Sequence, residues 1–584
     1  MDHHAKTRPD APAYYRKAAG EWTATSWRVY REEIRQVARA LIALGCEPGQ
    51  RVGVLGFNRP EWAESLLGAM AAGGAAAGIY TTSSPEQVGY VLRHSRARVA
   101  VVENADQLAK VDAVRGELPD LAHVVVMEGA GATARPDAMS WRDFMARGGE
   151  AFEPELDKRL AALAPDTLAS LIYTSGTTGE PKAVMLSHGN LFETVKLSVE
   201  TFDLKATDCA LSYLPLAHVA EQMTTVHTPA YTGGAVYYAE APEKIADNLR
   251  EVRPTIFFGV PRVWERLYDG IQAKLRAASP RKRRLAAWAF GVGRRYVACE
   301  LEGRRRGPGL AAQWAVAQRL VAARVRRAIG FDRLRSASSG AAPIAREVLE
   351  LFTGLGIPIY EVYGLSETTG PMTWNQPGRT RLGTVGPPLP SVEVRLADDG
   401  EVLARGPNVF MGYLDDPQAT AEALEDGWLA TGDLGVLDED GYLTITGRKK
   451  NILITSGGKN VAPEGIEKAL KQIELLSEAV VIGDGRRFVA ALLTLNEDAA
   501  AAFARAHGIA ADAELHRDPQ VLAAIERGVE EVNRRYSRVE SVRKFRVLPR
   551  QLALDQDELT PTLKVKRRVV QERWAELIEE MYAE

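Results

Sequence analysis

The stretch YTSGTTGEPKAVMLSHGN, Tyr173 to Asn190, sets glycines, a run of hydroxyls and one lysine directly after an apolar run. Gly176 and Gly179 can take positive φ and let backbone N–H groups approach a ligand closely. Thr174, Ser175, Thr177 and Thr178 add hydroxyl donors, and Lys182 adds a mobile positive charge. That combination fits a polyphosphate; a glycine-rich turn between two strands is the other reading of the same residues. A Walker loop is excluded, because GxxxxGK[ST] needs Gly-Lys-Ser/Thr where this chain has Gly-Glu-Pro-Lys-Ala.

Outward from the loop, β-rich runs at 51–57, 97–103, 123–128, 167–175 and 255–260 alternate with helical patterns such as WRVYREEIRQVARALIALG. This alternation predicts an α/β fold of parallel sheets covered by helices. From about Gly383, short strands joined by Asp-Gly and Pro-Gly turns predict a smaller β subdomain. At GRKKNILITSGGKNVAPEGIEKAL the texture changes again, into helix patterns and an α+β tail. The expected division is a large N-terminal domain, 1–447, and a small mobile C-terminal domain, 448–584. The longest apolar stretch, SLLGAMAAGGAAAGIY, is too short and glycine-rich for a membrane span and reads as a buried helix running into a strand.

With 584 residues the chain exceeds one core and can enclose a substrate pocket, which favours an enzyme over a small binding module. The net charge of −3 gives no global reason to expect nucleic acid or a membrane surface as the main partner. Cys46, Cys209 and Cys299 lie far apart without CxxC spacing, which suits reduced thiols in a cytoplasmic compartment. The opening MDHHAKTRPDAPAYY lacks a basic stretch followed by an apolar one, so it does not read as a secretory signal. The segment 280–330 carries RKRR, RR, RRR and ARVRR among Ala, Leu, Val and Trp. Two readings stand for it: peripheral contact with anionic lipid, or a solvated helical excursion from the large domain. No nucleic-acid module accompanies it.

The phosphate loop is followed, in order, by SSGAAPI (338–344), EVYGLSETTG (361–370), GEVLARGPNVFMGY (400–413), DGWLATGDLG (426–435), TGRKKNILITSGGKNVAPEGIE (446–467) and LTPTLKVKRR (559–568). This series resembles the adenylate-forming superfamily of acyl-CoA synthetases, adenylation domains and luciferases, whose signature is a [YF]TSG[ST]TGxPK[GA] loop. Through SYLPLAHVAEQ, YGLSETTGP and LTPTLKVKR it looks most like long-chain or very-long-chain fatty acyl-CoA synthetases, including the bubblegum-type branch.

The resemblance implies a role for each motif. Glu367 matches the glutamate associated with Mg2+, since a carboxylate beside triphosphate needs a bridging cation. Tyr363 would stack on adenine, with Gly364 and Ser366 in the same motif; Ser366 replaces the commoner threonine and keeps the hydroxyl. Gly340, Ala341 and Ala342 would line the other face of the ring. Asp433 would accept from the ribose hydroxyls and Arg448 would donate to the same sugar. Lys450 matches the hinge about which the C-terminal domain rotates, a position that other members fill with Asp. Lys564 aligns with the lysine that stabilises charge as carboxylate attacks the α-phosphate. Leu563 stands where the common form has glycine, which keeps Lys566 as an alternative. His218 matches a position bordering the acyl carbonyl and α-phosphate. Gly457, Gly458 and Lys459 match the loop that lines the pantetheine tunnel after rotation.

The implied reaction joins a fatty acid to ATP as an acyl-adenylate, releasing pyrophosphate, and then transfers the acyl group to coenzyme A with release of AMP. A fatty acyl-AMP ligase would pass it to a carrier protein; such relatives carry an insertion after the YGxxE-type motif, and the path from Glu367 to Gly383 is short here. An aryl or short-chain acid synthetase would share every nucleotide motif. A non-catalytic lipid-binding homologue would have lost motif residues, and all are present. No HExxH, paired-Cys or GxSxG pattern points to a metallohydrolase or serine hydrolase.

Overall fold

The computed structural model describes residues 1–127, 138–174, 180–301, 303–510, 513–553, 556–560 and 564–583. The expected α/β architecture is what forms. Among these residues the largest sheet runs Gly412–Tyr413, Lys182–Ser187, Leu168–Thr174, Ala75–Ile79, Arg51–Leu55, Ala97–Val102, His123–Val126 and Met139–Ser140. Its strands pair in parallel from Leu168–Thr174 onwards, and Lys182–Ser187 and Gly412–Tyr413 are added antiparallel at the edge. The run SLLGAMAAGGAAAGIY is indeed the helix Pro60–Ala71 feeding the fully buried strand Ala75–Ile79.

Two further sheets complete the parallel framework. Cys209–Ser212, Ala235–Tyr238 and Pro12–Ala18 pair in parallel, with Glu21–Ser26 antiparallel at the edge. Ile256–Gly259, Ser336–Ser339 and Ile359–Leu365 do the same, and Gly370–Trp374 turns back along the last. Parallel strands are buried on both faces, and the wide rings of Trp27, Trp62 and Trp264 lie wholly inside the covering helices and sheets.

The β subdomain expected from Gly383 is an antiparallel sheet of Glu393–Leu396, Glu401–Arg405, Trp428–Leu437, Leu424–Glu425 and Leu443–Arg448. Beyond it, Leu476–Ile482 and Val489–Leu495 pair antiparallel and Val542–Val547 joins in parallel, forming the C-terminal α+β domain. Its core is separate, built on residues such as Leu470, Val481, Leu493, Val521 and Ile525.

The basic segment is helical, as its composition implied, with helices Pro280–Leu301, Pro308–Ala317 and Ala323–Ala328. One face is sewn into the large domain. A Cβ on Gly293 would lie 2.0 Å from the carbonyl oxygen of Gly354, and Tyr296 stacks on Trp314 with centroids 5.3 Å apart.

Two glycines contrast in how closely their surroundings pack. A Cβ on Gly364 would fall 1.7 Å from the carbonyl oxygen of Gly370, so only glycine lets the two strands close there. Gly116 has open space around it and an ordinary φ. Gly364→Ala is therefore expected to lower stability by at least ~2 kcal/mol in denaturant melts, while Gly116→Ala changes it by less than ~0.5 kcal/mol.

Candidate active site

The phosphate-loop motif is flanked by two paired antiparallel strands, Leu168–Thr174 and Lys182–Ser187. Thr174 ends one strand directly opposite Lys182, the first residue of the next. Ser175, Gly176, Thr177, Thr178 and Gly179, all named from the sequence, lie outside the described residues. The hairpin's free edge pairs with Gly412–Tyr413, which places Tyr413 opposite Val184.

Tyr413 then links two motifs that are far apart in sequence. Its hydroxyl donates to Glu367 Oε1 at 2.8 Å, and Lys182 Nζ stands 5.0 Å from the centre of its ring. Lys182 also lies 3.7 Å from Asp416. Burial, and then the Glu367 charge, push the Tyr413 phenol well up, so it remains a donor. Glu367 sits on the short turn Ser366–Thr368 between Ile359–Leu365 and Gly370–Trp374. Among the described residues no cluster of three or more His, Cys, Asp or Glu could hold a metal. One carboxylate beside a phosphate loop suits Mg2+, which fills its other positions with waters and substrate phosphate.

Asp433 is the second focus. It is 3% exposed, and both its oxygens are engaged: Tyr363 donates to Oδ2 at 2.6 Å, and Arg448 Nε lies 2.9 Å from Oδ1. The Arg448 contact follows from register, since Asp433 and Arg448 face each other across paired strands. Burial raises the carboxyl's pKa, and Arg448 and Tyr363 oppose that. The backbone next to this focus is shaped for close approach. Gly340 leaves no room for a Cβ, which would lie 2.7 Å from Val362 Cγ1, and Ala341 takes φ +69°, a left-handed conformation unusual for alanine. Ala342 follows it on the surface.

Lys564 comes to this focus from the C-terminal domain. Its backbone N–H donates to Thr560 Oγ1 at 3.0 Å, and Thr560 N–H to the Lys564 carbonyl at 2.7 Å, which holds the two residues against each other. Lys564 is exposed as a residue, yet atoms crowd its ammonium. Desolvation, then Arg448, hold its pKa below the ordinary lysine range, and Asp433 opposes them. Lys566, the alternative from sequence, is instead paired with Asp557 beside it.

His218 lies within the electrostatic reach of Lys564. Burial, then that charge, push it down to about 4, so the ring is neutral near pH 7. Its Nδ1 accepts the backbone N–H of Ala220 at 3.2 Å, which leaves the ring proton on Nε2. The segment bearing it is anchored from below by Glu221, which sequence reasoning missed. Glu221 Oε1 accepts from Ser212 Oγ at 2.8 Å, Thr225 Oγ1 at 2.6 Å, Tyr213 N at 3.1 Å and Asn58 Nδ2 at 3.2 Å. An acid inside the apolar run LPLAHVAEQ was the available signal. Tyr413 was equally missed, though it ends a quoted motif.

Two groups of named residues stand apart from this cluster. Lys450 is exposed on the turn Lys449–Asn451. Gly457, Gly458 and Lys459 form an exposed turn between Leu453–Ile454 and Asn460–Val461, whose hydrogen bonds run back to Thr455.

A family model described as AMP-binding enzyme matches residues 1–414, and one described as AMP-binding enzyme C-terminal domain matches 450–584. A long-chain-fatty-acid–CoA ligase of Mycobacterium tuberculosis, FadD15, is 40% identical over 99% of this chain and 96% of its own. The Xenopus laevis long-chain-fatty-acid–CoA ligase ACSBG2 is 39% identical over 98% of this chain and 82% of its own. Among solved structures, the A domain of a carboxylic acid reductase from Segniliparus rugosus superposes with a TM-score of 0.74 at 20% identity, covering 100% of this chain and 93% of that one. The anthranilate CoA ligase AuaEII gives 0.73 at 22%, covering 99% and 97%; at these identities the likeness speaks for the fold alone. The chain belongs to the adenylate-forming family of AMP-binding enzymes, among relatives named long-chain-fatty-acid–CoA ligases.

Proposed function

We propose that the chain is an ATP-dependent long-chain fatty acid–CoA ligase that works in two steps through an acyl-adenylate. The observation that carries this reading is the approach of Lys564, from the C-terminal domain, to within electrostatic reach of Asp433 and His218 of the large domain and of Arg448 at the boundary between the two. The names of the full-length relatives support the choice of acid and thiol.

In this reading residues 1–447 bind ATP and the acid, residues 448–584 move as a unit, and Lys450 marks the hinge. Thr174 to Gly179 and Lys182 cradle the β- and γ-phosphates. Tyr363 and the segment Gly340 to Ala342 enclose adenine, with Gly364 and Ser366 shaping the turn beneath. Asp433 and Arg448 exchange part of their mutual contact for the ribose hydroxyls. Glu367 would hold Mg2+, which when bound would offset phosphate charge and make the α-phosphorus more electrophilic. The fatty carboxylate attacks that phosphorus, forming the mixed anhydride and releasing pyrophosphate. Lys564 presents its ammonium to the charge that builds up on the transferring oxygens. His218, neutral and protonated on Nε2, donates a hydrogen bond without placing a second cation beside Lys564. In the second step the turn Gly457 to Lys459 swings in, and the thiol of coenzyme A displaces AMP.

The direct test offers ATP, Mg2+, coenzyme A and a graded series of acids from acetate to very long chains, with aryl acids, and reads products by mass spectrometry. Acyl-CoA equimolar with AMP and peaking on long chains is expected. Adenylate accumulating while coenzyme A stays unused would instead indicate an acyl-AMP ligase, and a peak on aryl acids would reassign the substrate. Glu367→Gln is expected to lower kcat about 10²-fold and raise the Mg2+ concentration needed for half-maximal rate, consistent with loss of one electrostatic contact in a water-poor site. An unchanged Mg2+ dependence would remove Glu367 from the metal site.

We further propose a cytoplasmic location, peripheral at a membrane through the basic helices. Among the described residues no helix is long and apolar enough to cross a membrane. The solvent side of 280–330 exposes Leu285 and Trp288 on one helix, Val316 on the next and Leu320 on the π-helical turn Gln318–Ala322 that continues it, between arginines. Such a face suits the anionic headgroup region. Trp288→Ala/Leu320→Ala is expected to weaken co-flotation with phosphatidylglycerol vesicles several-fold and to leave turnover of dissolved acid intact; equal flotation by both proteins would remove the face from that role.

A further inference from the structure

The helix Pro261–Arg276 carries Arg262, Glu265, Asp269 and Arg276 at spacings of three, four and seven residues, so all four share one face. That face is turned towards the C-terminal domain. Arg276 Nη1 lies 3.2 Å from Glu474, and Arg262 Nη1 lies 3.9 Å from Glu478. Lys471 Nζ, 2.9 Å from Glu478, also acts on Glu265. Three pairs of opposite charge cross the seam, Arg262 against Glu478, Glu265 against Lys471 and Arg276 against Glu474, while Glu265 also feels Glu478 and Asp269 also feels Glu474 as like charges. Burial raises the pKa of Glu265 and of Asp269, with Lys471 opposing it at the first, and Arg276 opposing while Glu474 adds at the second.

The seam is coupled mechanically to Lys564. Glu478 stands on the strand Leu476–Ile482, and Val480 and Ile482 of that strand share a packed core with Leu559 and Val565. Leu559 and Val565 are bridged to each other, and Val565 directly follows Lys564. A shift of the strand at Glu478 is thus passed through close-packed side chains to the lysine that reaches the large domain's site.

We infer that this seam is a charged latch: Arg262, Glu265 and Arg276 of the large domain, with Lys471, Glu474 and Glu478 of the C-terminal domain, hold Lys564 over the site for adenylation and part for thiol transfer. The residues are positioning residues, since none touches the reacting atoms. The inference rests on the two-step reading given above. The individual pairs are weak by design. Arg276 and Glu474 are 66% and 77% exposed in their side chains, so the latch holds without locking.

The test measures the half-reactions separately on the full chain: fatty-acid-dependent exchange of pyrophosphate into ATP, and transfer from supplied oleoyl-adenylate to coenzyme A. An exposed pair of ~0.2–1 kcal/mol corresponds to about 1.5- to 5-fold in a two-state equilibrium, and reversing a charge replaces that attraction with repulsion. Arg276→Glu is expected to lower exchange about three- to tenfold while thiol transfer stays level or rises. Glu474→Arg should do the same, and Arg276→Glu/Glu474→Arg should return exchange to within about twofold of the parent. Equal loss in both half-reactions, no change in either, or failure of the double reversal to restore exchange would each overturn the latch. A parent protein that lacks one half-reaction would overturn the two-step reading, and the latch with it.

Discussion

A buried carboxylate must be fully engaged or its charge is too costly to keep, and Asp433 shows what that requirement organises. Its two oxygens are held by Tyr363 from the Ile359–Leu365 strand and by Arg448 from the last strand of the β subdomain. Tyr363 belongs to the parallel framework and Arg448 stands at the exit towards the C-terminal domain, so one side chain ties three parts of the chain together. Lys564 is drawn to the same negative charge, while Arg448 and desolvation work against its own. The balance leaves a lysine that is close to the site and incompletely neutralised. That is a suitable state for a group whose proposed task is to meet charge that appears only during reaction.

The rest of the site is arranged by strand pairing. The hairpin carrying the phosphate loop ends the parallel sheet, and the short strand Gly412–Tyr413 extends its edge, which is what brings Tyr413 between Lys182 and Glu367. Beneath His218, four donors converge on Glu221 and fix the start of the helical segment that follows. Burial pushes Glu221 up to about 7, a strain the dense donor set opposes. Groups proposed to meet substrate are thus carried on rigid pieces, while the lysine arrives on a separate domain.

Much of this was legible in the chain of motifs. Alternating apolar runs located the parallel strands, and Asp-Gly turns located the β subdomain, because these features depend on local pattern. What separates Lys564 from Lys566 is not visible in the motif itself: Lys566 pairs with Asp557, while Lys564 lies within electrostatic reach of Asp433 and Arg448. Tyr413 and Glu221 were overlooked for a related reason. Each acts through partners 46 and 163 positions away, Glu367 and Asn58, and such pairs exist only once the sheets have formed. The seam along Pro261–Arg276 is the extreme case, since its residues read as an ordinary solvated helix face until a second domain is set against them.

The central claim is that Lys564 serves adenylation alone, and separated half-reactions of Lys564→Ala test it most directly. Pyrophosphate exchange into ATP should fall about 10²- to 10³-fold, in line with losing one preorganised electrostatic contact. Transfer from supplied acyl-adenylate to coenzyme A should stay within about threefold of the parent. A parallel loss of both half-reactions, or an intact exchange in Lys564→Ala that disappears in Lys566→Ala, would contradict the account.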